Sequence, residues 1–292
     1  MALAVAMRPR HWLKNVLVVA APLAAGLLLE PRVLIDTAGA FAGFCLVASA
    51  MYLVNDARDV EADRAHPRKR TRPLAAGDLS VPVAIAAAGV LLVLGVGLGF
   101  LVAPALGGVL AGYAAMTAAY SLYLKHEPVV DLVVIALGFL LRAIAGGAAS
   151  GIPISNWFLI VAGFGSLFMA AGKRYSEFER VQGLRDEGID PGLLRRSLAG
   201  YTSGYLRFVW AISASVTITA YCLWAFEVGE ASGSGIWGVL SVLPFVTALL
   251  RYAVDVDAGT AEAPEEVVLR DPVLIVTGVL WAVLFGLGAW GV

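Results

Sequence analysis

The stretch YLVNDARDVEADRAHPRKRTRPLAAG, residues 52–77, sits directly behind an apolar run and carries the densest charge in the chain. Its first half holds Asn55, Asp56, Asp59, Glu61 and Asp63, and its second half holds Arg64, Arg68, Lys69, Arg70 and Arg72. If the helix of the preceding apolar run continues through it, each residue advances about 100°. With Asn55 at zero, Asp59 falls near 40°, Asp63 near 80° and Asp56 near 100°, whereas Glu61 falls near 240°. Four oxygen-bearing side chains therefore share one face over about 12 Å of axis, and Glu61 is excluded from it. Three carboxylates on one face repel each other unless a cation neutralises them. Mg²⁺ takes one or two carboxylates together with substrate phosphates, so the pattern fits a metal–diphosphate platform built from Asn55, Asp56, Asp59 and Asp63. A solvated face at the membrane edge, its acids paired with the nearby arginines, would carry the same residues.

The remainder of the chain explains why such a platform matters. Of 292 residues, 60% are apolar and 15% charged, where a soluble domain carries about 25% charged residues. The mean hydropathy is +0.82. Apolar runs of about 20 residues recur along the chain, which makes it an all-α, polytopic membrane protein; a membrane β-barrel would need alternating strands, and none is legible. Nine spans are expected, at about 12–29, 34–54, 81–101, 104–124, 129–150, 155–172, 203–226, 234–252 and 272–291. The start of the chain superficially resembles a cleavable leader, but its apolar run continues to Leu29 and its basic residues belong to the topology, so it is expected to be retained.

Lys and Arg set the sidedness. Arg8, Arg10 and Lys14 precede span 1, and Arg58 to Arg72 follow span 2. Lys125 follows span 4, Lys173 to Arg196 follow span 6, and Arg251 and Arg270 flank the loop after span 8. Only Arg32 falls in an opposite-side loop. The expectation is a multi-pass protein of the cell membrane, N-terminus in the cytoplasm and C-terminus outside. It forms a single domain over 1–292 with cytoplasmic loops at about 55–80, 125–128, 173–202 and 253–271. Function belongs on the cytoplasmic face, because the outer loops are too short to hold a site.

Further polar clusters lie at the same helix ends. RPRHWLKN (8–15) offers Arg8, Lys14 and Asn15, with Trp12 suited to the interfacial belt. YSLYLKHEPVVD (120–131) offers Tyr120, Lys125 and Asp131, which can converge around Pro128, with Asp131 binding metal or orienting Lys125. Arg142 lies inside span 5, where a cation is costly and is a functional candidate unless it serves a structural pair. AGKRYSEFERVQG (171–183) offers Lys173, Arg174 and Glu177. Arg251, Asp255 and Asp257 read better as an exposed loop. Cys45 and Cys222 stand in apolar runs as small hydrophobes, and His11, His66 and His126 follow no metal-ligand spacing. P-loop, dinucleotide, metalloprotease and serine-hydrolase motifs are absent. The basic residues follow membrane topology, so no nucleic-acid partner is indicated.

The helix-end NDxxDxxxD pattern, in a chain of this span count, resembles the UbiA-type intramembrane prenyltransferase superfamily. RPRHWLKN, NDARDVEADRAHPRKRTRP, YSLYLKHEPVVD and GKRYSE, in that order, look like the branch of it that moves phosphoribose onto a polyprenyl phosphate. The resemblance covers nearly the whole chain. It implies a UbiA-type helical bundle with a cytoplasm-facing cavity and a Mg²⁺-dependent glycosyltransferase (pentosyltransferase). The donor would be 5-phosphoribosyl diphosphate (PRPP) and the acceptor decaprenyl phosphate, for cell-wall arabinan precursors. It further implies catalytic roles for Asp56, Asp59, Asp63 and Lys125, and substrate contacts from Lys14, Asn15, Asn55, Arg58, Tyr120, Asp131, Arg142, Lys173 and Arg174. One departure from the wider superfamily favours this branch: the second acidic motif expected after span 6 is replaced by a basic start, KRYSEFE, and the spaced pair Asp186 and Asp190 lies further down a glycine-containing loop. An aromatic prenyltransferase using a prenyl diphosphate, or a secondary transporter, are the rivals. Transporters place substrate groups near the bilayer midplane, not at helix ends. A homo-oligomer is left open.

Overall fold

The computed structural model describes residues 1–65, 69–125, 127–186, 198, 200–233 and 235–290, with the side chains of 184–186, 231, 232 and 265 outside the description. Every regular element among them is helical. In chain order these are α1 (Ala2–Ala6), a 3-10 segment (Pro9–Val19), α2 (Ala20–Ala24), α3 (Pro31–Arg58), α4 (Val60–Ala65) and a 3-10 turn (Lys69–Thr71). Then follow α5 (Pro73–Ala76), α6 (Val81–Val102), α7 (Pro104–Ala119), a π-helical turn (Tyr120–Leu124), α8 (Val130–Ser150) and α9 (Asn156–Asp186). The chain ends with α10 (Ser203–Ser232), α11 (Gly235–Asp257), α12 (Pro264–Arg270) and α13 (Pro272–Trp290). Prolines open α3, α5, α6, α7, α12 and α13 in the first turn, where a missing N–H costs nothing. Thr202 caps α10 by accepting from the Tyr205 N–H at 3.1 Å.

Eight helices among the described residues are long and apolar enough to cross a membrane, against the nine spans expected. The segment that differs is the first. The expected helix at 12–29 is a 3-10 segment of eleven residues followed by five residues of α-helix. Runs of 3-10 helix beyond three or four residues are uncommon, since the bonds are poorer than in an α-helix. Here contacts from elsewhere hold it: Trp12 donates to Ser49 Oγ (3.0 Å), Ser49 donates to the Met7 carbonyl (3.0 Å), and Arg142 donates to Asn15 Oδ1 (2.7 Å). At the larger rise of a 3-10 helix the two pieces still extend for about 30 Å, the thickness of a bilayer core.

The chain divides into two compact units. The first comprises Met1–Pro22, Leu29–Lys125 and Leu141–Ile152, and the second Leu23–Leu28, His126–Leu140 and Pro153–Val292. In the first unit Val18, Phe44, Val47, Leu106, Leu110 and Ala145 form one buried cluster, and Leu53, Leu74 and Ala84 belong to another around the end of α3. In the second, Leu132, Phe168, Tyr175, Leu206, Tyr252 and Val256 pack together.

One position in the first unit allows no side chain. A Cβ built on Gly146 of α8 would lie 1.9 Å from the Val18 carbonyl oxygen. That oxygen is backbone in the 3-10 segment and cannot swing aside. Gly146→Ala should therefore destabilise the protein by about 3 kcal/mol, the upper range of ordinary overpacking. Thermal unfolding in detergent would show it, with Gly89→Ala, where nothing lies within 4 Å, as the neutral control.

Candidate active site

In the first unit, α3 ends at Arg58 and the chain passes through Asp59 at φ −92°, ψ 10° before helix resumes at Val60. This bridge conformation is sparsely populated and recurs in active sites. The break is slight. Asp59 N–H still donates to the Asn55 carbonyl (3.0 Å), and Asp63 N–H to the Asp59 carbonyl (2.8 Å). The helical face is thus carried across it. Asp56 and Asp63 are buried, at 2% and 3% exposure, while the Glu61 side chain is 81% exposed and pairs with Arg64 (2.7 Å).

Each aspartate of this face meets a cation from a different part of the chain. Arg8 donates from Nη2 to both Asp56 oxygens, at 2.6 and 2.8 Å. Arg72 reaches Asp63 Oδ2 at 2.6 Å and Asp56 Oδ1 at 3.3 Å with the same nitrogen, Nη1. Lys125 Nζ lies 2.6 Å from Asp59 Oδ1. Three carboxylates thus face three cations, so the face is locally close to neutral. Arg8 is held firmly: its backbone is left-handed (φ 55°), which costs a non-glycine residue energy, and its guanidinium lies over the Tyr52 ring at 4.9 Å. Lys125 is placed by the π-helical turn Tyr120–Leu124, its N–H donating to the Tyr120 carbonyl at 3.0 Å. Such turns cluster at functional sites because they re-aim the residues that follow.

A second cluster surrounds Arg142, which is 6% exposed. It donates to Asn15 Oδ1 (2.7 Å) and Tyr113 Oη (2.9 Å), and its guanidinium lies over the rings of Tyr113 (4.8 Å) and Phe44 (5.4 Å). Asn15 in turn donates to Cys45 Sγ at 3.3 Å. Arg142 therefore ties α8, α7, α3 and the 3-10 segment together. Arg142 and Asn15, both expected at the substrate, are thus bonded to each other.

In the second unit Arg174 is fully buried and pairs with both Asp131 oxygens, at 2.5 and 2.9 Å, and with Glu177 at 2.5 Å. Of the two residues expected to converge around Pro128, Lys125 pairs with Asp59 and Asp131 with Arg174. The turn before α8 is fixed just as tightly. Val129 has φ 67°, an outlier for a β-branched residue, and its N–H donates to Tyr201 Oη at 2.7 Å. Burial pushes the Tyr201 hydroxyl up from its ordinary value, partly offset by that N–H, so it accepts this bond as a neutral phenol.

The remaining expected residues are placed less closely. Arg58 is exposed, while Lys14, Asn55, Tyr120 and Lys173 are half-buried. Arg251, Asp255 and Asp257, expected in an exposed loop, lie instead in the last turns of α11, where Arg251 pairs with Asp271 (2.6 Å) and Asp257 with Arg207 of α10 (3.1 Å). Cys45 and Cys222 are both free thiols. His66, Pro67, Arg68, His126, Asp190, Arg195 and Arg196 lie outside the described residues, as do the side chains of Arg185 and Asp186. Sequence spacing singles out neither Arg72 nor Tyr113 as a site residue, and it places Arg8 only among the polar residues at the same helix ends. Arg72 carries a faint signal, being the last cation of a basic run and followed by a proline that starts a helix.

No group of three or more carboxylate, His or Cys side chains among the described residues is gathered closely enough to hold a metal by itself. The four residues Asn55, Asp56, Asp59 and Asp63 thus share a face without closing on one point. Two of them do converge: Asp56 and Asp63 share the Arg72 Nη1 position. Two carboxylates completed by substrate phosphates and water suit Mg²⁺, so the donor set fits that ion.

The model of the UbiA prenyltransferase family matches residues 18–270. The chain is 50% identical to the decaprenyl-phosphate phosphoribosyltransferase of Corynebacterium glutamicum, over 94% of this chain and 83% of the relative. It is 49% identical to the enzyme of the same name from Mycobacterium tuberculosis, over 96% and 92%. Among solved structures, a UbiA homolog from Archaeoglobus fulgidus bound to DMAPP and Mg²⁺ superposes with a TM-score of 0.72 at 16% identity, covering all of both chains. A UbiA homolog from Aeropyrum pernix K1 gives 0.62 at 15% identity, covering 96% of this chain and 97% of that one. Likeness at that level of identity establishes the fold.

Proposed function

This chain belongs to the UbiA prenyltransferase family, and we propose on that premise that it transfers 5-phosphoribose from PRPP to decaprenyl phosphate. It is a multi-pass membrane phosphoribosyltransferase. The observation that carries this is the near-half identity, over almost the full length of both chains, to relatives that bear that activity in their names.

The site supplies the chemistry such a transfer needs. The bond from ribose C1 to the diphosphate oxygen breaks, a bond from C1 to a lipid phosphate oxygen forms on the opposite face, and diphosphate leaves. The lipid phosphate is already an anion near neutral pH, so no strong base is required. What is required is positioning and neutralisation of the leaving group. Asp56 and Asp63, with Asp59 and Asn55 beside them, would hold Mg²⁺. When bound, that ion would neutralise charge growing on the diphosphate. Arg8, Arg72 and Lys125 are cations already aimed at this face and can take anionic oxygens of the donor. In the second unit, Arg174 holds Asp131 and the start of α8 in place.

For sidedness, Pro9–Ala24 is taken as a ninth crossing. The basic residues at the N-terminus and beyond α3 and α9 then lie in the cytoplasm with the site, and the C-terminus lies outside.

The test is a choice of donor. In proteoliposomes containing decaprenyl phosphate, labelled PRPP with Mg²⁺ should yield labelled lipid and free diphosphate. Prenyl transfer from a prenyl diphosphate to an aromatic acceptor, without product from PRPP, would overturn the assignment in favour of an aromatic prenyltransferase.

A further inference from the structure

We propose that Arg72 is an exchangeable counter-ion. It occupies the cation position between Asp56 and Asp63 in the substrate-free protein and passes to the diphosphate when metal and donor arrive together. The inference rests on the reading of this face as a metal–diphosphate site.

Three observations single out Arg72 from the other two cations. It alone bridges two carboxylates, and it does so through one nitrogen, Nη1, 2.6 Å from Asp63 and 3.3 Å from Asp56. That nitrogen marks the point on which the two buried carboxylates converge, the place a divalent cation would take. Arg8, by contrast, meets both oxygens of a single carboxylate and is fixed by its left-handed backbone and by the Tyr52 ring. Lys125 holds Asp59, outside the converging pair. Arg72 also stands at the first position before α5, in extended backbone (φ −66°, ψ 143°), and its side chain keeps 27% exposure. The guanidinium can thus turn toward an incoming anion without unwinding a helix.

The consequence is coupling. A bare divalent cation must displace Arg72 and leave it without a carboxylate, so it binds weakly. A cation arriving with diphosphate displaces Arg72 onto an anion, so each ligand tightens the other by the same factor. Guanidinium suits this exchange because it pairs as well with phosphate oxygens as with carboxylates.

The test uses the full-length protein in detergent, with Mn²⁺ as an EPR-visible probe and inorganic diphosphate as the anion. Arg72→Gln should bind bare Mn²⁺ about tenfold more tightly than wild type, and the factor by which diphosphate tightens Mn²⁺ should fall by about tenfold, within the usual range of such couplings. Arg72→Lys keeps a charge and should change both quantities in the same directions but less, which serves if the glutamine variant does not fold. A merely structural arginine would weaken both ligands together. Bare Mn²⁺ affinity unchanged or lowered in both variants overturns the proposal while leaving the site assignment standing. Wild-type protein that shows no coupling between Mn²⁺ and diphosphate overturns both.

Discussion

Asp63→Asn should leave a folded protein whose phosphoribosyl transfer is lower by about a thousandfold, the scale of removing one electrostatic contact to a developing charge in a water-poor site. Asparagine keeps the shape of the side chain and the backbone bond from residue 63 to the Asp59 carbonyl. What it removes is half of the pair that converges on Arg72 Nη1. A hard divalent cation loses a charged oxygen, and the face, now short of one negative charge, carries excess positive charge from Arg8, Arg72 and Lys125. The rate loss should appear in kcat and should be eased only partly by raising Mg²⁺. Glu61→Gln is the matched control, since Glu61 is exposed and pairs with Arg64 at the surface; its effect should stay within about twofold, as exposed pairs contribute little. Near-normal turnover of Asp63→Asn at saturating Mg²⁺ would remove the metal role from this residue.

The contrast between Asp63 and Glu61 is legible in the sequence, and the reason is local. Both residues lie within one turn of each other, so helical spacing alone assigns them to opposite sides. The long helices are legible for a similar reason, since an apolar run of about 20 residues has few alternatives in a bilayer. What spacing does not carry is contact between distant segments. Arg142 stands out as an expensive intramembrane cation, but its partners Asn15 and Tyr113 lie 127 and 29 residues away and come from two other segments. Arg72 reaches back to Asp56 and Asp63 across 16 and 9 residues, and nothing in a basic run distinguishes its last member. The 3-10 conformation of Pro9–Val19 is hidden for the same reason: the bonds that secure it come from Ser49 and Arg142. By composition the run reads as an ordinary span.

The buried pair in the second unit leads to the other large effect. Asp131→Ala should destabilise the protein by about 3–5 kcal/mol, the cost of stripping a buried cation of its partner. Arg174 has no exposure, and two of its three nitrogens are on Asp131. Glu177, whose side chain is 19% exposed, would be left as its carboxylate. The damage should concentrate at the start of α8, where Val129 is held in a left-handed backbone with its N–H on Tyr201. Melting of the purified protein in detergent would measure the loss. The double variant Asp131→Leu with Arg174→Met then separates two roles for the arginine. Replacing both members of a buried pair by apolar residues of similar size is often neutral, so the double variant should regain most of the stability. If Arg174 only braces the turn, phosphoribosyl transfer should return with the fold, to within severalfold of wild type. A double variant that melts like wild type yet transfers nothing would instead place Arg174 on a substrate phosphate. Burial argues for the brace: a phosphate could reach this guanidinium only by displacing two carboxylates from an enclosed position.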